Sequence, residues 1–276
     1  MDRSSHLARV APCKLCGNTE KLCKSHLLPQ SLYRYLRHDA NGEFSAKEPF
    51  FVSKRRASRT SKQVQDYLLC RQCENLFSAS GEAWVVRQCA RTPLDFPLQR
   101  ALLEAPLKNE LDTGWIVEAG NIANIQHEKL GYFGVSVLWR AAVHGWVVEG
   151  SEASVHLGDH YEQLFRAYLL GQSDFPSSLV LMVKVASVTT PLTQALHFPH
   201  GERNEHYWNY RFVIPGIIFD FIVADEIRDE WRQGCIMRGP GHPFFLLKGE
   251  DLFQQGAWNL LKTAIPSRGL AREFLR

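Results

Sequence analysis

The chain has 276 residues, of which 45% are hydrophobic and 22% are charged, a composition typical of a soluble globular protein with a substantial core. Its formal net charge is only +3, but residues 1–80 hold 14 Lys and Arg against 7 Asp and Glu, whereas residues 81–276 hold 18 against 22. These values exclude an extreme polyanion or polycation and locate a cationic excess at the N-terminal end, where it favours contact with a phosphate backbone.

The N-terminal residues and the apolar runs bear on the compartment. Residues 1–6 lack the apolar core of a secretory signal. The longest apolar runs, 178–188 and 213–224, are interrupted by Lys184 and Pro215 and are too short to span a bilayer. We therefore expect a cytoplasmic protein with no membrane partner, and in a reducing compartment paired cysteines indicate metal binding rather than a disulfide.

Two Cys-x-x-Cys pairs form the most specific motif. Cys13 and Cys16 precede Gly17, which suits a tight knuckle turn, and Cys70 and Cys73 lie between a strand-like and a helix-like run. Two such pairs supply the four thiolates of a tetrahedral zinc site, which leaves no open coordination position and is structural. The sequence therefore predicts bound zinc; the alternative is four buried thiols that pack as small hydrophobes.

The segment between the pairs is predicted to contain a helix and a basic loop. Residues 30–37 show helical spacing of apolar side chains after Pro29. Residues 53–62 carry five cations and no acid, and we predict a loop inserted between the two halves of the zinc site. Its side chains are candidates for phosphate contacts, and the alternative is a solvated loop. The candidate nucleic-acid-binding residues are Lys54, Arg55, Arg56, Arg59 and Lys62.

The remainder of the chain is predicted to be an α+β domain. Helical runs near 133–146 and 160–170 come first, followed by a buried central strand at 178–188, a β-rich run at 210–224 bent by its Pro-Gly pair, and a strand at 244–247. A further helix is predicted near 254–263. The predicted organisation is a zinc domain over 1–80, a helical connector over 81–110 and an α+β domain over 111–276.

Two other segments of this part carry weaker patterns. Residues 115–127 alternate loosely and are predicted to form a strand pair with a turn at Gly120-Asn121. Residues 197–206 contain three His and two Glu, but the Pro and Gly among them favour a solvent loop over a metal site. Arg140, on the first predicted helix, is expected on the helix surface or paired with an acid.

The segment Ser25-His26-Leu27-Leu28-Pro29 lies between the two cysteine pairs. With the pairs on either side, residues 10–80 resemble the HNH, or His-Me finger, nucleases, in which a knuckle precedes a strand that ends in a catalytic His. The resemblance implies a treble-clef ββα zinc finger, with His26 as general base and Glu74 as ligand of a catalytic metal. Two positions depart from the family pattern: Ser25 replaces an Asp or His, and Glu74 replaces a His or Asn.

The resemblance implies a zinc-stabilised protein that binds nucleic acid, DNA more than RNA, and cuts it as a Mg- or Mn-dependent endonuclease in bacterial defence. His26 would deprotonate a water, and the C-terminal domain would recognise a protein partner. The alternative is a non-catalytic zinc module for protein–protein assembly, with His26 as a packing residue and Glu74 stabilising a helix dipole. The rest of the chain is similar to uncharacterised bacterial proteins, which implies no activity.

Overall fold

The computed structural model describes residues 9–248, except residues 39–41, 46–47, 54–55, 93, 107, 121, 149–150, 190–192 and 194, and the side chains of residues 50–59, 108 and 151. The described residues form a mixed α+β fold with sheets and several helices. The helix predicted near 254–263 lies outside the described residues.

The N-terminal part is built on a three-stranded sheet. Its elements are β1 (Val10–Pro12), β2 (Thr19–His26), α1 (Gln30–Tyr35), β3 (Phe50–Ser53), β4 (Arg56–Arg59), β5 (Gln65–Cys70) and α2 (Arg71–Phe77). Strands β1, β2 and β5 pair antiparallel with β2 in the middle, and α2 packs against β2 and β5. Strands β3 and β4 form a separate hairpin, so the basic segment predicted as a loop includes strand β4.

The C-terminal part is built on a seven-stranded sheet. The remaining elements are a π-helical turn (Ser78–Glu82), α3 (Ala83–Gln88), α4 (Pro97–Leu103), β6 (Lys108–Leu111), β7 (Gly114–Glu118), α5 (His127–Ala142), β8 (Val147–Val148), β9 (Ser151–Glu152), α6 (Asp159–Leu169), β10 (Leu179–Ala186), β11 (His197–Arg203), β12 (Trp208–Ile214), β13 (Ile217–Val223), α7 (Asp229–Gln233) and β14 (Pro243–Leu247). The sheet order is β11-β12-β13-β10-β14-β7-β6, and only the β10–β14 pair among these is parallel.

Helix α5 lies across this sheet and is buried along most of its length. Gly134 lets the helix approach closely, because a Cβ atom added there would lie 3.1 Å from Leu181 and 3.2 Å from Phe219. The Phe133 ring packs edge-on against Phe219, with the ring centroids 5.5 Å apart. On its other side, α5 packs Trp139 against Phe77 of α2, with the centroids 6.1 Å apart. One hydrophobic core therefore continues from the large sheet through α5 to the N-terminal part.

Helix α2, the π-helical turn and α3 follow one another without a break. A π turn places one extra residue in the helix and is often found at functional positions. This turn contacts α5 at Gly81, where an added Cβ would lie 3.0 Å from both the Lys129 carbonyl oxygen and the Phe133 nitrogen. A side chain at this position would therefore require the two helices to move slightly apart.

Most of the elements predicted for the C-terminal part are confirmed. Strand β10 lies at the centre of the large sheet, and helices α5 and α6 and strand β14 overlap their predicted ranges. The run over 210–224 forms a hairpin of β12 and β13, whose strands are joined at Pro215-Gly216 because Gly216 adopts a φ of +79°. Its positive φ explains why a glycine ends the turn.

Two predictions for this part are wrong. Of the predicted strand pair over 115–127, only the first strand is present among the described residues, as part of β7 (Gly114–Glu118). The amides of Ile122 and Ile125 instead donate to carbonyls three residues earlier, as in turns. Residues 197–203 form edge strand β11 rather than a loop, because its hydrogen bonds to β12 outweigh the local preference of Pro199. Proline is tolerated at a sheet edge, and the register shift between His197 and His200 accommodates it.

Candidate metal centre

The first cysteine pair lies on the turn between β1 and β2. The amide of Cys13 donates to the carbonyl of Asn18 at 2.9 Å, and the amide of Gly17 donates to the carbonyl of Cys13 at the same distance. Gly17 has a φ of +82°, a conformation that side chains disfavour, which explains the glycine directly after the pair. The turn is thus closed by backbone hydrogen bonds and presents Cys13 and Cys16 together.

The second pair lies where β5 runs into α2. Cys70 is the last residue of β5 and the N-cap of α2, and Cys73 lies in the first turn of the helix. A bulge in β5 leaves Leu68 without a partner residue on β2, and its carbonyl instead accepts a hydrogen bond from the Lys14 amide at 3.1 Å. The bulge therefore joins the strand directly to the turn that carries the first pair.

The four cysteine sulfurs form one group. They all lie within 4.8 Å of one another, and the Cys16 and Cys70 sulfurs are 3.8 Å apart. A tetrahedral site with metal–sulfur bonds of about 2.3 Å has sulfur–sulfur edges of about 3.8 Å, so the spacing fits zinc. Cys13, Cys70 and Cys73 are buried and Cys16 is half-buried. The four cysteines are therefore arranged to hold a metal ion and are compatible with structural zinc.

The surroundings of Cys13 lower the pKa of its thiol. Burial raises the pKa of Cys13, but hydrogen bonds from the backbone at Cys16, Cys70 and Leu15 outweigh it, and the pKa is lowered overall. The Cys70 amide is 3.3 Å from the Cys13 sulfur. A lowered pKa favours the thiolate, which is the form that binds metals. Within the described residues, no second group of three or more Cys, His, Asp or Glu side chains is placed to hold a metal.

His26 ends strand β2, close to the cysteine group in sequence and held from two sides. Its ring Nε2 lies 2.8 Å from Oε1 of Gln63, and because an amide oxygen only accepts, this contact requires a proton on Nε2. Its backbone carbonyl accepts a hydrogen bond from Nη1 of Arg140 at 2.8 Å. The preceding residue, Ser25, is buried, and its hydroxyl accepts from the Leu69 amide at 3.1 Å. Ser25 thus supports the bulged strand pair.

Glu74 lies in the first turn of α2, directly after Cys73. It is half-buried, and its Oε1 atom is buried without a hydrogen-bond partner. Among the described residues no hydrogen bond joins Glu74 to His26. An acid at this position also interacts favourably with the N-terminal end of the helix dipole. Its role as a metal ligand therefore stays a prediction.

The candidate nucleic-acid-binding residues are described only in part. Lys54 and Arg55 lie outside the described residues, and Arg56 and Arg59 belong to β4, of which the backbone alone is described. Lys62 is exposed, and its amide donates to the hydroxyl of Thr60 at 3.1 Å. Their contact with phosphates stays a prediction.

Sequence reasoning missed two polar contacts that join the N-terminal part to α5. Arg140 is buried, pairs with Glu82 of the π turn and reaches His26, 114 positions away. His144 follows α5, and its Nε2 lies 3.0 Å from the carboxylate of Asp66 on β5, 78 positions away. The expectation that Arg140 pairs with an acid is confirmed, but its burial and its contact with His26 had no local signal in the sequence.

The histidine-rich strand β11 does not form a metal group. The rings of His197 and His200 meet edge-on with their centroids 4.4 Å apart. Burial, the nearby His200 and Arg211 together lower the pKa of His197 to about 4, so this ring is neutral at physiological pH. On the same face of the sheet, Asp220 of β13 is paired with Arg211 and with Lys184. These contacts belong to the packing of the sheet.

A shallow groove of about 520 Å³ lies beyond the end of α5. It is lined by the segment from Ala142 to Gly145 and by Glu152, Ser154, Val155 and His156. None of the predicted catalytic or metal-binding residues lines it, so the groove is separate from the cysteine group.

Comparison of the chain with family models, with curated proteins and with solved structures finds no match. Among the helices of the described residues, none is both long enough and apolar enough to span a bilayer.

Proposed function

We propose that this chain is a zinc-stabilised, HNH-like nucleic-acid-binding protein that cuts its substrate with the help of a second, hard metal ion. The observation that carries the proposal is the cysteine group, because it ties the turn before β2 to the start of α2. Strand β2 ends in His26, so the group holds this histidine and α2 in one compact unit. The order of two strands and a helix supports a treble-clef interpretation of residues 10–80.

The zinc ion itself would serve structure rather than catalysis. Four thiolates fill a tetrahedral site and leave no position for water or substrate. Zinc binding in small finger peptides is worth about 10–16 kcal/mol at neutral pH, which is enough to fold a short segment. We therefore assign Cys13, Cys16, Cys70 and Cys73 as zinc ligands.

His26 is the proposed general base. Because Gln63 accepts a hydrogen bond from the Nε2–H group, the Nδ1 atom of the neutral ring keeps its lone pair and would take a proton from an attacking water. A divalent cation such as Mg or Mn would supply the positive charge that neutralises the scissile phosphate. Glu74 would hold this cation, since a carboxylate oxygen is a suitable ligand and its Oε1 has no other partner.

Substrate binding is assigned to the basic N-terminal part. Lys54, Arg55, Arg56, Arg59 and Lys62 carry five charges within nine residues. Cations on such a segment contact phosphates without reading bases, and binding then weakens steeply with salt. We propose DNA rather than RNA as the substrate, a cytoplasmic role in bacterial defence, and recognition of a protein partner by the C-terminal part.

Plasmid nicking by the purified protein tests this proposal. The wild-type chain is expected to nick supercoiled DNA in the presence of Mg²⁺ or Mn²⁺. It is expected to lose this activity when EDTA chelates that ion under conditions in which the zinc stays bound. His26→Ala is expected to reduce nicking by at least 100-fold. His160→Ala, which changes an exposed histidine, serves as the control. Cleavage that survives in His26→Ala would remove the proposed mechanism.

A second candidate is a zinc module that mediates protein–protein assembly without catalysis. The favouring observation is that the Nε2 of the half-buried His26 is already hydrogen-bonded to Gln63. A protein of this kind would show no salt-dependent affinity for DNA or RNA and no nicking, and it would retain its zinc. Binding titrations at 50 and 200 mM salt separate the two candidates.

A further inference from the structure

Arg140 is almost completely buried in α5, and each of its three guanidinium nitrogens makes a polar contact. Its side chain is 2% exposed. Nη1 donates to the His26 carbonyl at 2.8 Å, Nε donates to the Ser136 carbonyl at 3.3 Å, and Nη2 pairs with the carboxylate of Glu82. The guanidinium also lies over the Phe77 ring, 5.3 Å from its centroid.

Stability alone does not explain this arrangement. Moving two charges out of water often costs more free energy than their mutual attraction returns. Apolar residues of similar volume can therefore often replace a buried ion pair without loss of stability. In some proteins, buried polar or ionic groups specify one geometry of the fold. The pair of Arg140 and Glu82 is therefore considered for the geometry that it imposes on the residues around it.

We propose that Arg140 and Glu82 form a positioning pair that sets His26 relative to Glu74, an inference that rests on the proposed function. Glu82 and Glu74 lie on the same continuous helix, Glu82 at the end of the π turn and Glu74 in the first turn of α2. Arg140 joins that helix to the His26 carbonyl at the end of β2. The pair therefore fixes the end of the strand against the helix, and with it the spacing of the two proposed catalytic residues.

The contacts on both sides of His26 explain how a backbone bond orients its ring. Arg140 holds the His26 carbonyl, and the next amide, that of Leu27, donates to the Val64 carbonyl at 2.9 Å. With the peptide plane fixed, the ring meets Gln63 and keeps its proton on Nε2. Loss of the pair would release this plane and leave the ring free to exchange tautomers and orientations.

The π turn determines the position of Glu82 relative to α5. One extra residue in the helix rotates the positions after it, and Gly81 lets the turn approach the α5 backbone closely. Glu82 is 17% exposed and meets Arg140 at this approach. The turn therefore belongs to the same positioning device.

The test replaces the pair by two apolar residues, Glu82→Met together with Arg140→Met. We expect the double variant to fold and to bind zinc, whereas nitrogen-15 NMR of the His26 ring changes from a single Nε2-protonated tautomer to a mixture. Nicking is expected to fall about 100-fold, the size of loss that follows a small misplacement of a catalytic group. The control is Glu110→Met with Lys248→Met, which replaces an exposed ion pair between β6 and the residue after β14, away from His26.

The outcomes separate this inference from the proposed function. If the wild-type chain does not nick DNA but the His26 tautomer changes in the double variant, the nuclease proposal fails and the positioning pair stands. If the His26 signals are the same in the wild type and the double variant, the positioning pair is refuted. Should the double variant fail to fold, Arg140→Lys decides: it keeps the charge but not the three directed donors, and an unchanged His26 signal in this variant equally refutes the inference.

Discussion

Arg166 of α6 donates a hydrogen bond from its Nε atom to the backbone carbonyl of Leu15. Leu15 lies between the two cysteines of the first pair, and the contact spans 151 positions of the chain. A Cβ atom added to Gly17 would lie 3.4 Å from the same guanidinium. A helix of the C-terminal part therefore stabilises the turn that carries Cys13 and Cys16 through this hydrogen bond.

Arg166→Ala is expected to weaken retention of the metal. A hydrogen bond from a charged group is worth about 1.5–3 kcal/mol, so loss of the contact is expected to speed zinc release to a chelator by about tenfold or more. Arg232→Ala is the control, because this exposed arginine pairs within α7 and touches none of the cysteine turn. Equal release rates in both variants would show that the contact does not stabilise the site.

Cys13→Ser is expected to abolish zinc binding and to lower the midpoint of thermal unfolding by several degrees. Serine is a poor zinc ligand, and the binding free energy of a structural site contributes directly to folding. The measurement combines zinc content by mass spectrometry with thermal denaturation. Cys23→Ser is the matched control: it changes a half-buried cysteine on β2 outside the metal group, and full zinc content is expected.

Gly81→Ala is expected to destabilise the fold by about 1–3 kcal/mol. The added methyl group would press against backbone atoms of Lys129 and Phe133, which cannot move aside as a flexible side chain does. Gly145→Ala is the control, because no atom lies within 4 Å of an added Cβ there. Urea unfolding measures both. A cost below 0.5 kcal/mol for Gly81→Ala would mean that α5 and the π turn separate easily.

Stability at mildly acidic pH is expected to depend on His197. Its pKa is lowered to about 4 in the folded chain, whereas an unfolded histidine titrates near 6.5. As pH falls below 6.5 the unfolded state binds the proton first, so stability is lost between pH 6.5 and 4 and is unaffected above that window.

We therefore expect His197→Gln to lose about 2 kcal/mol less than the wild type when pH is lowered from 7 to 5. The comparison is made by urea unfolding at the two pH values, which removes any effect of pH on the metal that both proteins share. His206→Gln, at a side chain that is 71% exposed, is expected to follow the wild type. A wild-type pH dependence in His197→Gln would contradict the assignment.

The cysteine group was predictable from the sequence because metal ligation imposes a local spacing, Cys-x-x-Cys, that remains visible whatever the fold. The central position of β10 was likewise predictable, since a strand buried on both faces is a continuous apolar run. Both features are determined by residues that are close together in the sequence.

The contact of Arg140 with Glu82 and His26 could not be predicted in this way. It depends on the π turn, and one extra residue in a helix does not disturb the apolar pattern enough to be noticed. It also joins residues 58 and 114 positions apart, whose meeting depends on how α5 packs. Strand β11 was misread for a similar reason, because pairing with β12 outweighs what Pro199 and Gly201 favour locally.

Strand β11 has a further consequence, since among the described residues it is an edge strand of the large sheet. The outer edge of such a strand is a template to which a second molecule can add its own strand and so start aggregation. Here the ladder is interrupted between His197 and His200, Pro199 offers no amide proton, and Glu202 and Arg203 place charge at the far end. The residues that obscure the strand in the sequence are thus features that disfavour the addition of a second strand at this edge.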